Sequence, residues 1–196
     1  MGPLVKICGL TNARDAEAAL EFGADFLGFV FEPTSPRFVP LESREFIDHL
    51  DQRPRVAVYG PFGGEEPTEV DMVQATEFKN RPSRPSILSL RVRPEDTVED
   101  LLGMFAGYDR VVLDAFHKEH YGGTGQRVDW EVAEAVVAQS PIPVILAGGL
   151  TPENVAQAIR FVRPAAVDVS SGVESAPGQK DHAKMRDFIA AVRQAL

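Results

Sequence analysis

Leu4 to Phe31 reads LVKICGLTNARDAEAALEFGADFLGFVF. Leu4 to Cys8 and Asp25 to Phe31 are short apolar runs rich in Val, Ile and Phe. Between them, Asn12 to Phe22 repeats Ala and Leu on one helical face. A strand, a helix and a second strand so closely joined make a βαβ unit, which lays its strands parallel and covers them with the helix.

The same alternation continues along the chain. Strands are expected at Arg55 to Tyr59, Val70 to Ala75, Ser86 to Val92, Arg110 to Asp114, Pro143 to Ala147 and Ala165 to Val169, which brings the number to eight. Helices are expected at Trp130 to Ala138, Pro152 to Phe161 and Asp181 to Leu196, with shorter ones at Leu41 to Leu50 and Thr97 to Phe105. The segments after the third and fourth strands are short or rich in Pro and Gly, so one or two outer helices should be shortened there. Eight βα units imply an α/β fold, the (β/α)8 or TIM barrel, and a chain of 196 residues lies near its lower limit of roughly 200. No linker or low-complexity tract divides residues 1–196, so a single barrel domain is expected.

Composition narrows the function classes. Lys and Arg number 20 against 29 Asp and Glu, a formal net charge of -9, so the long-range field repels nucleic acid and anionic membrane and neither is expected as a partner. Any anionic ligand must be held by local groups. The lone Cys8 excludes an internal disulfide and a multi-cysteine metal site, and suits a reducing compartment. Met1-Gly2-Pro3-Leu4-Val5-Lys6 lacks a long apolar run, which points to an unprocessed cytoplasmic protein. His49, His117, His120 and His182 show no metal-ligand spacing, so no metal is expected.

Barrels of this class collect their chemistry where strands end and βα loops begin. Cys8 ends the first strand. It can be a small buried hydrophobe, or a base whose thiolate is favoured by Lys6, which alternation puts on the same face. Arg37 follows Glu32-Pro33-Thr34-Ser35-Pro36, a stiff loop after the second strand; it is either a solvated loop arginine or a two-point clamp for a carboxylate. Asp129 closes the long segment after the sixth strand that contains Gly122-Gly123-Thr124-Gly125. It can cap the next helix, serve as an acid, or do both. The seventh strand runs into Gly148-Gly149 and the eighth into Ser170-Ser171-Gly172, small residues that either end the strands or let backbone N–H groups approach a phosphate.

Taken in order, several motifs together resemble the phosphoribosylanthranilate isomerase family. They are Lys6-Ile7-Cys8-Gly9-Leu10-Thr11, Gly28-Phe29-Val30-Phe31 with Ser35-Pro36-Arg37, Gly122-Gly123-Thr124-Gly125 through Asp129-Trp130, Leu146 to Val155, Val167 to Glu174, and Pro177-Gly178-Gln179-Lys180-Asp181. The resemblance runs from Val5 to the last helix. It implies an Amadori rearrangement of a phosphosugar in tryptophan biosynthesis, without cofactor or metal. It also implies Cys8 as general base, Asp129 as general acid and Arg37 as anchor for the anthranilate carboxylate, with phosphate at Gly148, Gly149, Ser170, Ser171 and Gly172.

One departure stands out. The family's fourth strand ends in a pattern like Val-Gln-Leu-His-Gly, whereas this chain has Val73-Gln74-Ala75-Thr76-Glu77. Two rivals follow: a related isomerase of the aminoimidazole phosphosugar in histidine biosynthesis, and a non-catalytic barrel that retains phosphate binding. The first is expected to have Asp where Cys8 stands, and retained Cys8, Arg37 and Asp129 argue against the second.

Overall fold

The computed structural model describes residues 2–50, 53–64, 66–115 and 130–195. Eight parallel strands close into a barrel in chain order: β1 (Leu4–Cys8), β2 (Phe26–Val30), β3 (Arg55–Val58), β4 (Met72–Ala75), β5 (Ser86–Val92), β6 (Arg110–Ala115), β7 (Val144–Leu146) and β8 (Ala166–Val169). The ring is sealed where β8 pairs with β1, setting Leu4 against Ala166 and Lys6 against Asp168. The outer layer contains α1 (Ala13–Phe22), α2 (Glu45–Asp48), α3 (Val98–Gly103), α4 (Trp130–Gln139), α5 (Val155–Val162) and α6 (His182–Arg193). No helix among the described residues is long and apolar enough to cross a membrane.

Strand alternation divides the apolar residues into two cores. Phe26, Val56, Met72, Ile87, Val112, Ile145, Ala147 and Ala166 fill the barrel interior. Their strand neighbours, such as Ile7, Leu27, Val73, Leu88, Leu113 and Val167, face outward and pack under the helices with residues such as Ala16, Ile159 and Phe188. The interior is therefore a packed core at its lower levels. Lys6, Gln74 and Asp168, of the same inward parity, are buried polar groups within it.

Local chemistry explains where the elements depart from the expected bounds. Asp25 does not extend β2; its carboxylate accepts from the Val5 N–H at 2.8 Å and from Arg193 at 2.7 Å. The Pro152 to Phe161 helix begins only at Val155, because the Asn154 side chain accepts from Thr151 N–H and donates to the Gly149 carbonyl. Leu41 to Leu50 forms a 3-10 turn (Leu41–Ser43) and the single-turn α2, anchored by buried Ile47 and Leu50. After β3 and β4 no helix occurs among the described residues. The two connections are tied together by a Phe62–Glu77 bridge and by Glu66, which accepts from Ser83 and Arg84. A small hairpin not expected from the sequence, β9 (Glu174–Ala176) and β10 (Gln179–Lys180), follows β8. It turns at Pro177-Gly178, where Gly178 takes a φ of 78° that favours glycine.

Candidate active site

Register sets Cys8 of β1 beside Gly28 of β2. A β-carbon on Gly28 would come 3.0 Å from the Cys8 sulfur and 3.2 Å from Lys6 Nζ, so the missing side chain is what makes room for both. Lys6 is wholly buried and donates to Asp168 Oδ2 at 3.0 Å. Burial pushes the Cys8 thiol up from its ordinary value; Lys6 and Lys180 pull it down and Asp168 adds to the rise, with a net upward shift. The pull expected of Lys6 is thus present, but the desolvation of an interior sulfur exceeds it.

Arg37 is buried, and its guanidinium makes the two-point carboxylate contact that its fork is built for. The carboxylate is internal. Arg37 Nε donates to Glu174 Oε1 at 2.8 Å and Nη2 to Oε2 at 2.7 Å. Lys180, on the hairpin, adds a bond to Glu174 at 2.9 Å and another to the Ser170 carbonyl at 3.1 Å. Burial pushes Glu174 up, yet the bonds from Arg37 and the charge of Lys180 leave its value below the ordinary one. Glu174 and Lys180 were not singled out from sequence, and no local pattern marks Arg37 and Glu174, 137 residues apart, as partners.

The two glycine-rich loops come together. Gly148 and Gly149 take φ values of 87° and 63°. Gly172 sits so close to the other loop that a β-carbon would collide with the Leu150 carbonyl oxygen. The N–H groups of Gly148, Gly149, Ser170, Ser171 and Gly172 find no main-chain acceptor among the described residues. Gly9, next to Cys8, has φ 72°, and its missing β-carbon would meet Arg37 Cδ at 2.5 Å and Ser170 Oγ at 2.8 Å. Base candidate, arginine and phosphate-loop candidate therefore converge at one end of the barrel. Gln74 Oε1, Asp168 Oδ1 and Ser170 Oγ are buried there without a hydrogen-bond partner among the described residues, as acceptors in a ligand site would be.

Asp129, with the segment carrying Gly122 to Gly125, lies outside the described residues; α4 begins at the next position, Trp130. Thr76 follows the end of β4 and is exposed.

A family model described as N-(5'-phosphoribosyl)anthranilate (PRA) isomerase matches residues 74–191. The N-(5'-phosphoribosyl)anthranilate isomerase of Trichlorobacter lovleyi is 41% identical over 209 aligned positions, covering 98% of both chains. The phosphoribosyl anthranilate isomerase of Thermotoga maritima superposes with a TM-score of 0.83 at 36% identity, over 97% of this chain and 98% of that one. A solved phosphoribosyl anthranilate isomerase in complex with reduced 1-(o-carboxyphenylamino)-1-deoxyribulose 5-phosphate matches with a TM-score of 0.77 at 32% identity, over 97% and 98% of the two chains.

Proposed function

The chain belongs to the N-(5'-phosphoribosyl)anthranilate isomerase family, and from that membership we propose that Cys8 is its general base, Asp129 its general acid and Arg37 the anchor of the substrate carboxylate. Its reaction is the Amadori rearrangement of N-(5-phosphoribosyl)anthranilate to 1-(2-carboxyphenylamino)-1-deoxyribulose 5-phosphate, in tryptophan biosynthesis. The substrate has an aromatic carboxylate at one end and a phosphate at the other. A net charge of -9 gives no long-range help in binding a molecule that is anionic at both ends, so local donors must hold both ends.

The reaction needs two proton transfers of opposite sense. Asp129 delivers a proton to the furanose ring oxygen, which opens the ring to a protonated Schiff base; this requires a carboxyl kept protonated in the closed site. The Schiff base acidifies the C2′ proton. The Cys8 thiolate removes it, leaving the electron pair in an enolamine that tautomerises to the ketose. Arg37 holds the carboxylate throughout. The phosphate is held by backbone N–H groups of Gly149 and Ser171, with Gly148, Ser170 and Gly172 admitting it closely. The single observation that carries this reading is the convergence of Arg37 Cδ and Ser170 Oγ on Gly9, the residue after Cys8. A free thiol at that point also suits work in the reducing cytoplasm, as one barrel domain over residues 1–196.

Turnover of chemically generated phosphoribosylanthranilate tests the assignment. Cys8→Ala and Asp129→Asn should each stay folded and lose about 10²-fold or more in kcat, the usual scale of acid–base contributions. Near-normal turnover in either variant removes that residue from the mechanism.

A further inference from the structure

Lys6 is wholly shut off from solvent, and β1 turns it into the barrel two residues before Cys8. A buried ammonium is costly unless it is matched, and Asp168, its register partner on β8, supplies the match at 3.0 Å. Stability alone does not call for such a pair, because apolar side chains of similar volume fill a barrel at least as well, as Phe26, Met72 and Ile145 do in this one. The pair is also incompletely satisfied: Asp168 Oδ1 is buried with no partner among the described residues. What the ammonium has besides Asp168 is sulfur. Cys8 Sγ and Lys6 Nζ share the space left by Gly28, within 3.0 and 3.2 Å of where its β-carbon would stand.

We propose that Lys6 is a positioning residue for the reaction: its ammonium, fixed by Asp168 and admitted by Gly28, faces the Cys8 sulfur and stabilises the thiolate form that the reaction uses. This rests on the reading of Cys8 as the base. The charged groups around the sulfur fit the role. Lys6, Lys180 and Arg37 are cationic, Asp168 and Glu174 anionic, so three positive charges face two negative ones while Cys8 is a thiol. Once it ionises, the set is neutral. Burial and Asp168 oppose the thiolate while Lys6 favours it, so the thiolate that forms stays basic enough to take up a carbon-bound proton. When the thiolate takes the C2′ proton, the C–H electron pair passes into the enolamine and Cys8 becomes a thiol again beside Lys6.

Cys8 is the chain's only cysteine, so the pH dependence of iodoacetamide alkylation reports its ionisation without reference to turnover. In Lys6→Met the alkylation midpoint should rise by about one pH unit or more, roughly tenfold less thiolate at a given pH on its acid side. Lys6→Arg, which keeps the charge, should stay within about half a unit, and Gly28→Ala, which crowds sulfur and ammonium apart, should rise by an intermediate amount. In Lys6→Met, kcat should fall about tenfold with KM changed less than about threefold. Natural midpoints in both Lys6→Met and Gly28→Ala overturn the proposal. Should Lys6→Met fail to fold with Asp168 left unmatched, Gly28→Ala decides: a raised midpoint supports the proposal and a natural one overturns it. A raised midpoint together with full turnover in Cys8→Ala leaves the Lys6–sulfur contact standing but overturns its part in the reaction, and places the failure in the assignment of the base.

Discussion

Arg37 is held by Glu174 at two points, Nε to Oε1 at 2.8 Å and Nη2 to Oε2 at 2.7 Å, and both residues are buried. The contact uses one edge of the guanidinium and leaves donors on Nη1 and Nη2 for a second carboxylate. Lys180 contacts the same Glu174, so the three groups carry two positive charges and one negative. While Cys8 is a thiol this surplus faces a ligand carboxylate; it is the same charge that the Cys8 thiolate balances once it forms. Glu174 therefore orients the proposed anchor without neutralising the site.

Replacing Arg37 by Ala should raise KM about 10²-fold while lowering kcat less, since a carboxylate bound throughout the reaction contributes to ground state and transition state alike. Lys180 still neutralises Glu174, so the variant should fold. Arg37→Lys should recover little, because one ammonium cannot make both contacts with Glu174 and also a paired contact with substrate. An unchanged KM in Arg37→Ala would leave Arg37 as a structural partner of Glu174 only.

The Arg37–Glu174–Lys180 cluster also predicts a response to acid. Glu174 titrates below its ordinary value of 4.5, so its pairing stabilises the fold fully above that pH and is lost as pH falls through the lower, folded value. Asp15, held below its ordinary 3.8 by His182, the Lys180 N–H and Asn12 against the cost of burial, behaves in the same sense. Melting temperature should therefore decline on the acid side of these values. Glu174→Gln should melt lower than the natural protein at neutral pH, and the gap should narrow as acid protonates Glu174 in the natural protein. A gap that stays constant from neutral to acid pH would show that the carboxylate charge contributes nothing.

Much of this was legible in the sequence, and what was not has physical reasons. Buried parallel strands read as apolar runs, so β1 and β5 match their expected bounds and the other six differ only at their ends. Cys8 and Arg37 stood out because strand ends in a barrel are where chemistry collects. Their partners did not, because Asp168 is 162 residues from Lys6 and Glu174 is 137 from Arg37, and only closure of the ring brings each pair together. The role of Gly28 likewise depends on the β1–β2 register. Pro177-Gly178 is a dipeptide that favours turns, and the β9–β10 hairpin could have been found from it.

The glycines of the site should resist alanine, and for different reasons. Gly172→Ala drives a β-carbon against the Leu150 carbonyl, a main-chain atom that no rotamer change can move, so the loops after β7 and β8 must separate. Gly9→Ala combines a φ of 72° with contact on Arg37 Cδ and Ser170 Oγ. Each should lower melting temperature and raise KM by about tenfold or more, given the sensitivity of turnover to small misplacements. Gly103→Ala, at the end of α3 with open space around its β-carbon position, is the control and should leave both unchanged or slightly raise stability. If Gly172→Ala behaves like Gly103→Ala, the loops do not hold the phosphate as proposed.

Thr76 is where the chain departs from the family pattern, with a threonine in place of the histidine that follows the fourth strand. It lies just past β4, whose last residue, Ala75, is buried, and is itself exposed. A hydroxyl does not titrate usefully near neutrality, so no proton transfer that the reaction requires can run through this position. The proposed acid and base are Asp129 and Cys8, which leaves Thr76 at most a hydrogen-bond donor to substrate. A single neutral hydrogen bond is worth about 1 kcal/mol, so Thr76→Ala should change kcat/KM by no more than ~10-fold. Thr76→His should be tolerated without a large gain, since an exposed imidazole at this point adds no transfer that the other two groups do not perform. Turnover of phosphoribosylanthranilate by the natural chain and the two variants, measured side by side, checks this. An inactive natural chain that Thr76→His raises by orders of magnitude would make the histidine essential, and would assign to this position a step now given to Asp129 or Cys8.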